Sequence, residues 1–218
     1  MMRDAFHDDL QAINHSLMDM ADFVKDSMER ATKALLTADL SLAEKVIEDD
    51  DRVDAMQHEL DDKTMQVIAR QAPVAGDLRQ LITSLRMSAD FERMGDFAHH
   101  IARIARMRYP ITAVPNELHS TIEELGATVV RLIEKVGLLL DTRDLALVFE
   151  IERDDDDVDR LHRKLFMILL DEKWSHGIEN AIDTTLLGRY YERCADHAVS
   201  VARRMHFSVT GEYAPKPE

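Results

Sequence analysis

Cysteine is almost absent from this chain: Cys194 stands alone among 218 residues. One thiol excludes an internal disulfide framework and any zinc site built on cysteines, and it suits a reducing compartment. Glycine and proline are scarce as well, at 7 and 5 residues, which excludes collagenous and loop-dominated architectures. Long apolar runs are missing. The longest, "VGLLL" and "LFMILL", fall far short of the roughly 20 residues that span a bilayer. The opening "MMRDAFHDDL" carries no signal-peptide core. Basic residues are outnumbered 27 to 42, for a formal charge of −15. That balance argues against direct nucleic-acid binding, which Lys and Arg drive by neutralising phosphates. It favours cations or a basic partner surface. No nucleophile–base arrangement and no Gly-rich anion loop is visible, so no catalysis is expected. These absences describe a cytoplasmic protein whose membrane contact, if any, is peripheral and runs through partners.

What is present is helical periodicity, in a chain that is 45% hydrophobic and 32% charged. Six long helices are expected. The first runs from about Asp4 to Thr37, with Leu10, Ile13, Leu17, Met20, Val24 and Met28 on one side. Ser41-Leu-Ala-Glu44 reads as a capping box that opens the second, and Pro73 lies beyond its end. The third runs from about Asp77 to Arg108, before the proline-bracketed linker "YPITAVP". The fourth spans about Asn116 to Leu140, the fifth is capped by Asp141 and reaches about Glu172, and the sixth runs from about Ile178 to Phe207. Three helices, a linker and three helices make an all-α fold of two tandem, pseudo-symmetric three-helix bundles. The expected units are 1–109 and 110–209, with 210–218 as a flexible tail.

The duplication shows in the charges. "DFERMGDF" at 90–97 returns as "YYERCADH" at 190–197, and "DDDRVD" at 49–54 as "DDDDVD" at 154–159. Between 90–103 and 190–203 six of fourteen positions are identical, and four of those six are charged. Surfaces drift faster than cores, so a merely solvated face should not keep its charges while its apolar residues change. Glu92/Asp96 and Glu192/Asp196 sit one helical turn apart, nearly opposite the apolar stripes of their helices. Asp50/Asp54 and Asp155/Asp159 lie at the shoulder of theirs. Two carboxylates about 6 Å apart repel by roughly 2–3 kcal/mol at an effective dielectric near 20. A cation reverses that sign, and oxygen-rich clusters suit Mg²⁺, Ca²⁺, Mn²⁺ or iron.

At these residues the sequence resembles the PhoU family. The segments "QAPVAGDLRQLITSLRMSADFERMGDFAHHIARIA" (71–105) and "LLGRYYERCADHAVSVARR" (186–204) carry the resemblance, together with the two Asp runs, and it covers essentially the whole chain. The resemblance implies metal sites at Asp50, Asp54, Glu92 and Asp96 in the first bundle, and at Asp155, Asp159, Glu192 and Asp196 in the second. The ions implied are iron, zinc, manganese or magnesium. It further implies a negative regulator of phosphate uptake and of the phosphate-starvation response. The partners implied are the ATPase subunit of the phosphate ABC transporter and a membrane sensor histidine kinase. A homodimer is admitted but not read from the sequence. Asp49, Asp51 and Asp154–Asp157 are rival ligands. His99 lies near the first set, whereas Val199 holds its place in the second. His197 points towards packing or an interface.

Two other readings compete. A di-iron carboxylate bundle, for storage or oxidation, wants Glu-x-x-His on two helices. The chain has none, and Asp96-x-x-His99 is not repeated in the last helix. A purely structural scaffold accounts for the helices but not for charges that outlast the packing.

Overall fold

The computed structural model describes residues 2–214, with side chains from Ala5 onward, and residues 215–218 of the expected tail lie outside it. The described chain is helical throughout: α1 (Met2–Thr37), α2 (Leu40–Glu48), α3 (Asp50–Gln71), α4 (Ala75–Arg108), α5 (Asn116–Thr142), α6 (Ala146–Leu169) and α7 (Gly177–Thr210). The six expected rods are there, with the second interrupted at Asp49. No helix among the described residues is long and apolar enough to cross a membrane.

Several boundaries differ from expectation for local reasons. The cap of α2 is Asp39, whose side chain accepts the Leu42 N–H at 2.9 Å, rather than Ser41. An aspartate before the first turn reaches the orphan amides better than a serine already inside it. In the same way Asp144, not Asp141, holds the start of α6, accepting the Ala146 N–H at 3.0 Å. At Asp49 the backbone stays right-handed, and the Arg52 N–H turns to the Asp49 carbonyl three residues back. With so few glycines, α1, α3 and α5 are followed by left-handed residues with side chains: Ala38, Ala72 and Arg143. The start of the expected tail is ordered: Tyr213 stacks on Phe207 with ring centroids 4.8 Å apart.

The first bundle is α1, α2–α3 and α4, and the second is α5, α6 and α7. They do not have separate cores. One apolar cluster runs from Leu10 through Phe91 and Ile122 to Met205. The antiparallel α1–α5 and α4–α7 seams join the halves. The α1–α5 seam repeats its own contact. A Cβ on Gly126 would sit 2.6 Å from Thr32, and one on Gly137 would sit 3.9 Å from Ala21. Residues 21 and 32 of α1 correspond to 126 and 137 of α5, so each helix offers a small residue where the other presses in. Beside this contact the Thr32 hydroxyl meets the fully buried Tyr191 hydroxyl at 2.8 Å. A buried phenol needs such a partner. Each fully buried Leu, Ile or Phe along these seams contributes about 1.5–3 kcal/mol, so the seams hold the two acidic helix pairs in a fixed relation.

Candidate metal centre

In the first half, Asp50 and Asp54 leave α3 while Glu92 and Asp96 leave α4. Val53 lies between the aspartates and Gly95 between the α4 acids, and these two face each other. A Cβ on Gly95 would fall 2.8 Å from a Val53 methyl. The missing side chain lets α3 and α4 close, and the four carboxylates come together. All four are half-buried between the helices, as the shoulder position suggests for Asp50 and Asp54 but not as periodicity suggests for Glu92 and Asp96, which it puts nearly opposite the packed face. In the second half Asp155 and Asp159 leave α6 and Glu192 and Asp196 leave α7, with buried Val158 and Ala195 between them; Asp155 and Glu192 are half-buried, whereas Asp159 and Asp196 are exposed. All eight sequence-predicted residues are thus brought into two groups of four.

Crowding shows in the titration. Burial pushes Asp50 above its ordinary value, with His99 opposing and Asp96 and Asp54 adding to the rise. Burial and the charge of Asp96 raise Glu92, and burial and Asp196 raise Glu192. Asp155 moves furthest, to about 7, through burial and then the charges of Asp196, Asp159, Asp156 and Glu192. One difference between the halves is an imidazole in the first. His99 Nδ1 lies 2.6 Å from Asp50 Oδ2, although off the direction of a good hydrogen bond. No cation stands among the groups acting on Asp155.

The rival aspartates have other partners. Asp49 takes Arg30 at 2.8 Å, and Asp154 takes Lys135 at 2.9 Å. Residues 30 and 135 are equivalent in the duplication, as are 49 and 154, so this ion pair is also duplicated. It anchors the start of each Asp run to the first helix of its bundle and turns Asp50 and Asp155 towards the Glu–Asp pair. Asp51, Asp156 and Asp157 are exposed.

The donors fit a hard cation in their chemistry: four carboxylates in each group, with His99 beside the first. His162, one turn beyond Asp159, was overlooked in the sequence although Asp159-x-x-His162 is legible there. Burial lowers its pKa, and its Nε2 is buried without a hydrogen-bond partner. Among the described residues no three donor atoms converge closely enough to grip one ion. Guanidinium groups hold the carboxylates instead. Arg93 reaches Asp96 at 2.9 Å and Glu92 at 3.5 Å, and Arg189 reaches both oxygens of Glu192 at 2.6 Å.

Periodicity also hid the polar contacts between halves. Buried Asp90 accepts from Arg204 at 2.6 Å and lies 3.0 Å from His197 Nδ1, which makes His197 an interfacial residue as expected. Buried Asp183 takes Arg108 at 2.5 Å.

A family model described as the PhoU domain matches twice, over residues 17–105 and 122–205. The chain belongs to the PhoU family. PhoU relatives cover it nearly end to end. It is 43% identical over 212 residues to "Phosphate-specific transport system accessory protein PhoU homolog 2" of Mycobacterium tuberculosis, covering 97% of this chain and 100% of that one. It is 29% identical to a PhoU homolog of Zymomonas mobilis, covering 97% and 90%. Its fold is similar to the crystal structure of PhoU from Pseudomonas aeruginosa, with TM-score 0.85, 26% identity and coverage of 95% and 100%. The PhoU of Streptococcus pneumoniae gives TM-score 0.86 at 21% identity, covering 97% and 100%, and supports the fold alone.

Proposed function

We propose that this chain is an accessory regulator of a phosphate transport system, acting as a metal-binding adaptor rather than an enzyme. It restrains phosphate uptake and the phosphate-starvation response when phosphate is plentiful. Its partners are the transporter's ATPase subunit and a sensor histidine kinase, met on the cytoplasmic side of the membrane. The observation that carries the reading is family membership over both repeats, with relatives named as accessory proteins of phosphate-specific transport.

The metal part is supported by the two crowded carboxylate groups. Asp50, Asp54, Glu92 and Asp96 would hold one centre, and Asp155, Asp159, Glu192 and Asp196 the other. Iron, zinc, manganese or magnesium would supply the positive charge that each group lacks. Arg93 and Arg189 guard the carboxylates and must yield them for an ion to bind. Coupling between metal and Arg release gives a surface whose charge changes with occupancy, which suits partner choice.

Deleting the gene and following a phosphate-starvation reporter in high phosphate tests the regulatory claim. The reporter should switch on, and a silent reporter in a strain with no second copy rejects the role. Metal analysis after purification without chelator tests the centres separately. Glu92→Ala and Asp196→Ala should each lose part of the parent's metal. Equal metal content in parent and variants rejects the site assignment.

A further inference from the structure

We propose that the cleft between the first turns of α4 and the last turns of α7 binds a small phosphate-bearing anion. Its volume is about 400 Å³, and four arginines line it: Arg79 and Arg86 from α4, Arg203 and Arg204 from α7. Such a cluster is out of character for a chain of charge −15. Two internal carboxylates reach it. Glu152 takes Arg203 Nε at 2.6 Å, and Asp90 takes Arg204 Nε at 2.6 Å. Both bonds run through Nε. Arg79 gives its Nε to the Ser208 carbonyl at 3.2 Å, and Arg86 makes no ion pair among the described residues. Four guanidiniums therefore face two carboxylates.

The duplication supplies an internal control. At the opposite end of the α4–α7 seam, the counterparts of Arg79 and Thr83 are Glu179 and Asp183. There the charge is closed within the protein: Arg108 bridges Asp183 at 2.5 Å and Glu179 at 3.1 Å. At the cleft end the acids have become a cation and a hydroxyl, and the positive surplus has no internal partner. Guanidinium forks match phosphoryl oxygens, and the volume falls in the range of small-molecule sites. Phe207 and Tyr213, stacked at 14° between ring planes, provide a flat apolar edge for an organic group. This site shares no residue with the acidic centres and does not depend on their holding metal.

The test is calorimetric titration of the full chain at low salt with chelator present, so that no cation bridges anion and acid. The probes are inorganic phosphate, adenosine 5′-diphosphate and vesicles of anionic phospholipid. We expect one-to-one binding of phosphate or the nucleotide with a Kd below about 1 mM. Arg86→Gln and Arg79→Gln should each weaken it at least tenfold, while Arg106→Gln, an exposed arginine elsewhere on α4, should not. Phosphate bound as tightly as the nucleotide assigns the free anion, and nucleotide alone assigns a phosphate ester. The proposal is overturned if neither small anion binds or if only vesicles bind. It is also overturned if Arg86→Gln keeps the parent's affinity, or if Arg106→Gln weakens binding as much. Arg86 is exposed and makes no ion pair among the described residues, so its replacement does not put folding at risk.

Discussion

The two acidic centres share four carboxylates on the same helical positions, yet they hold their protons differently. In the first, His99 sits against Asp50 and offsets part of the crowding. In the second, Val199 stands where that histidine would be, and Asp155 titrates near 7. Burial leads the rise at both aspartates, and the imidazole beside Asp50 opposes it where Asp155 meets only further carboxylates. The second centre therefore has the stronger need for an added cation, and cation binding there should release a proton near neutral pH.

The largest expected effect comes from the packing under the first centre. Gly95→Ala drives a methyl against the stiff Val53 side chain and should cost about 1–3 kcal/mol in chemical denaturation. The reverse change in the second half, Ala195→Gly, removes a tolerated methyl and should cost about 1 kcal/mol. Equal losses would mean that the helices meet alike in both halves.

Next in size is the charge of Asp155. Its folded pKa of about 7 exceeds the ordinary 3.8. Between those pH values the unfolded chain has released a proton that the fold retains. Stability of the metal-free protein should thus fall as pH rises from about 4 to about 7 and then level off. Discounted for solvent screening, the loss amounts to about 1–2 kcal/mol. Denaturation of Asp155→Asn at pH 8 should recover most of it, and the pH slope of the parent should flatten. An unchanged slope in the variant refutes the assignment to Asp155.

The smallest effect isolates the imidazole. His99→Val makes the first centre resemble the second, so Asp50 should titrate higher than in the parent, with a stability change under about 1 kcal/mol. Carbon-13 NMR of the Asp50 carboxyl reads this directly. A carboxyl that stays put shows that the two centres differ for another reason.

Much of this was legible in the residues. Leu, Ile, Val and Met at helical spacing marked the rods, and repeated Glu-Arg-x-x-Asp marked the duplication. The same repeat singled out Glu92, Asp96, Glu192 and Asp196, and the duplicated Asp runs marked the stretches that hold the other four carboxylates. The break at Asp49 was not legible, because the equivalent Asp154, with the same kind of ion pair, lies inside an unbroken helix. Nor was the choice among consecutive aspartates: "DDD" is uniform in sequence, and only the Arg30 and Lys135 side chains distinguish its members. His162 is legible in Asp159-x-x-His162, but the duplication does not mark it, since the corresponding position in the first half is Gln57.

Sequence by itself determined the helices, their order and the pairing of charges within each. Those depend on neighbours three or four residues apart, which a helix places on one face whatever surrounds it. Only the tertiary structure decided which carboxylates share a space, which are neutralised by a basic residue, and where positive charge collects without a partner. Such contacts join residues far apart in the chain, as Asp90 joins Arg204 across the α4–α7 seam. Their energy comes from burial that exists only once the helices have packed.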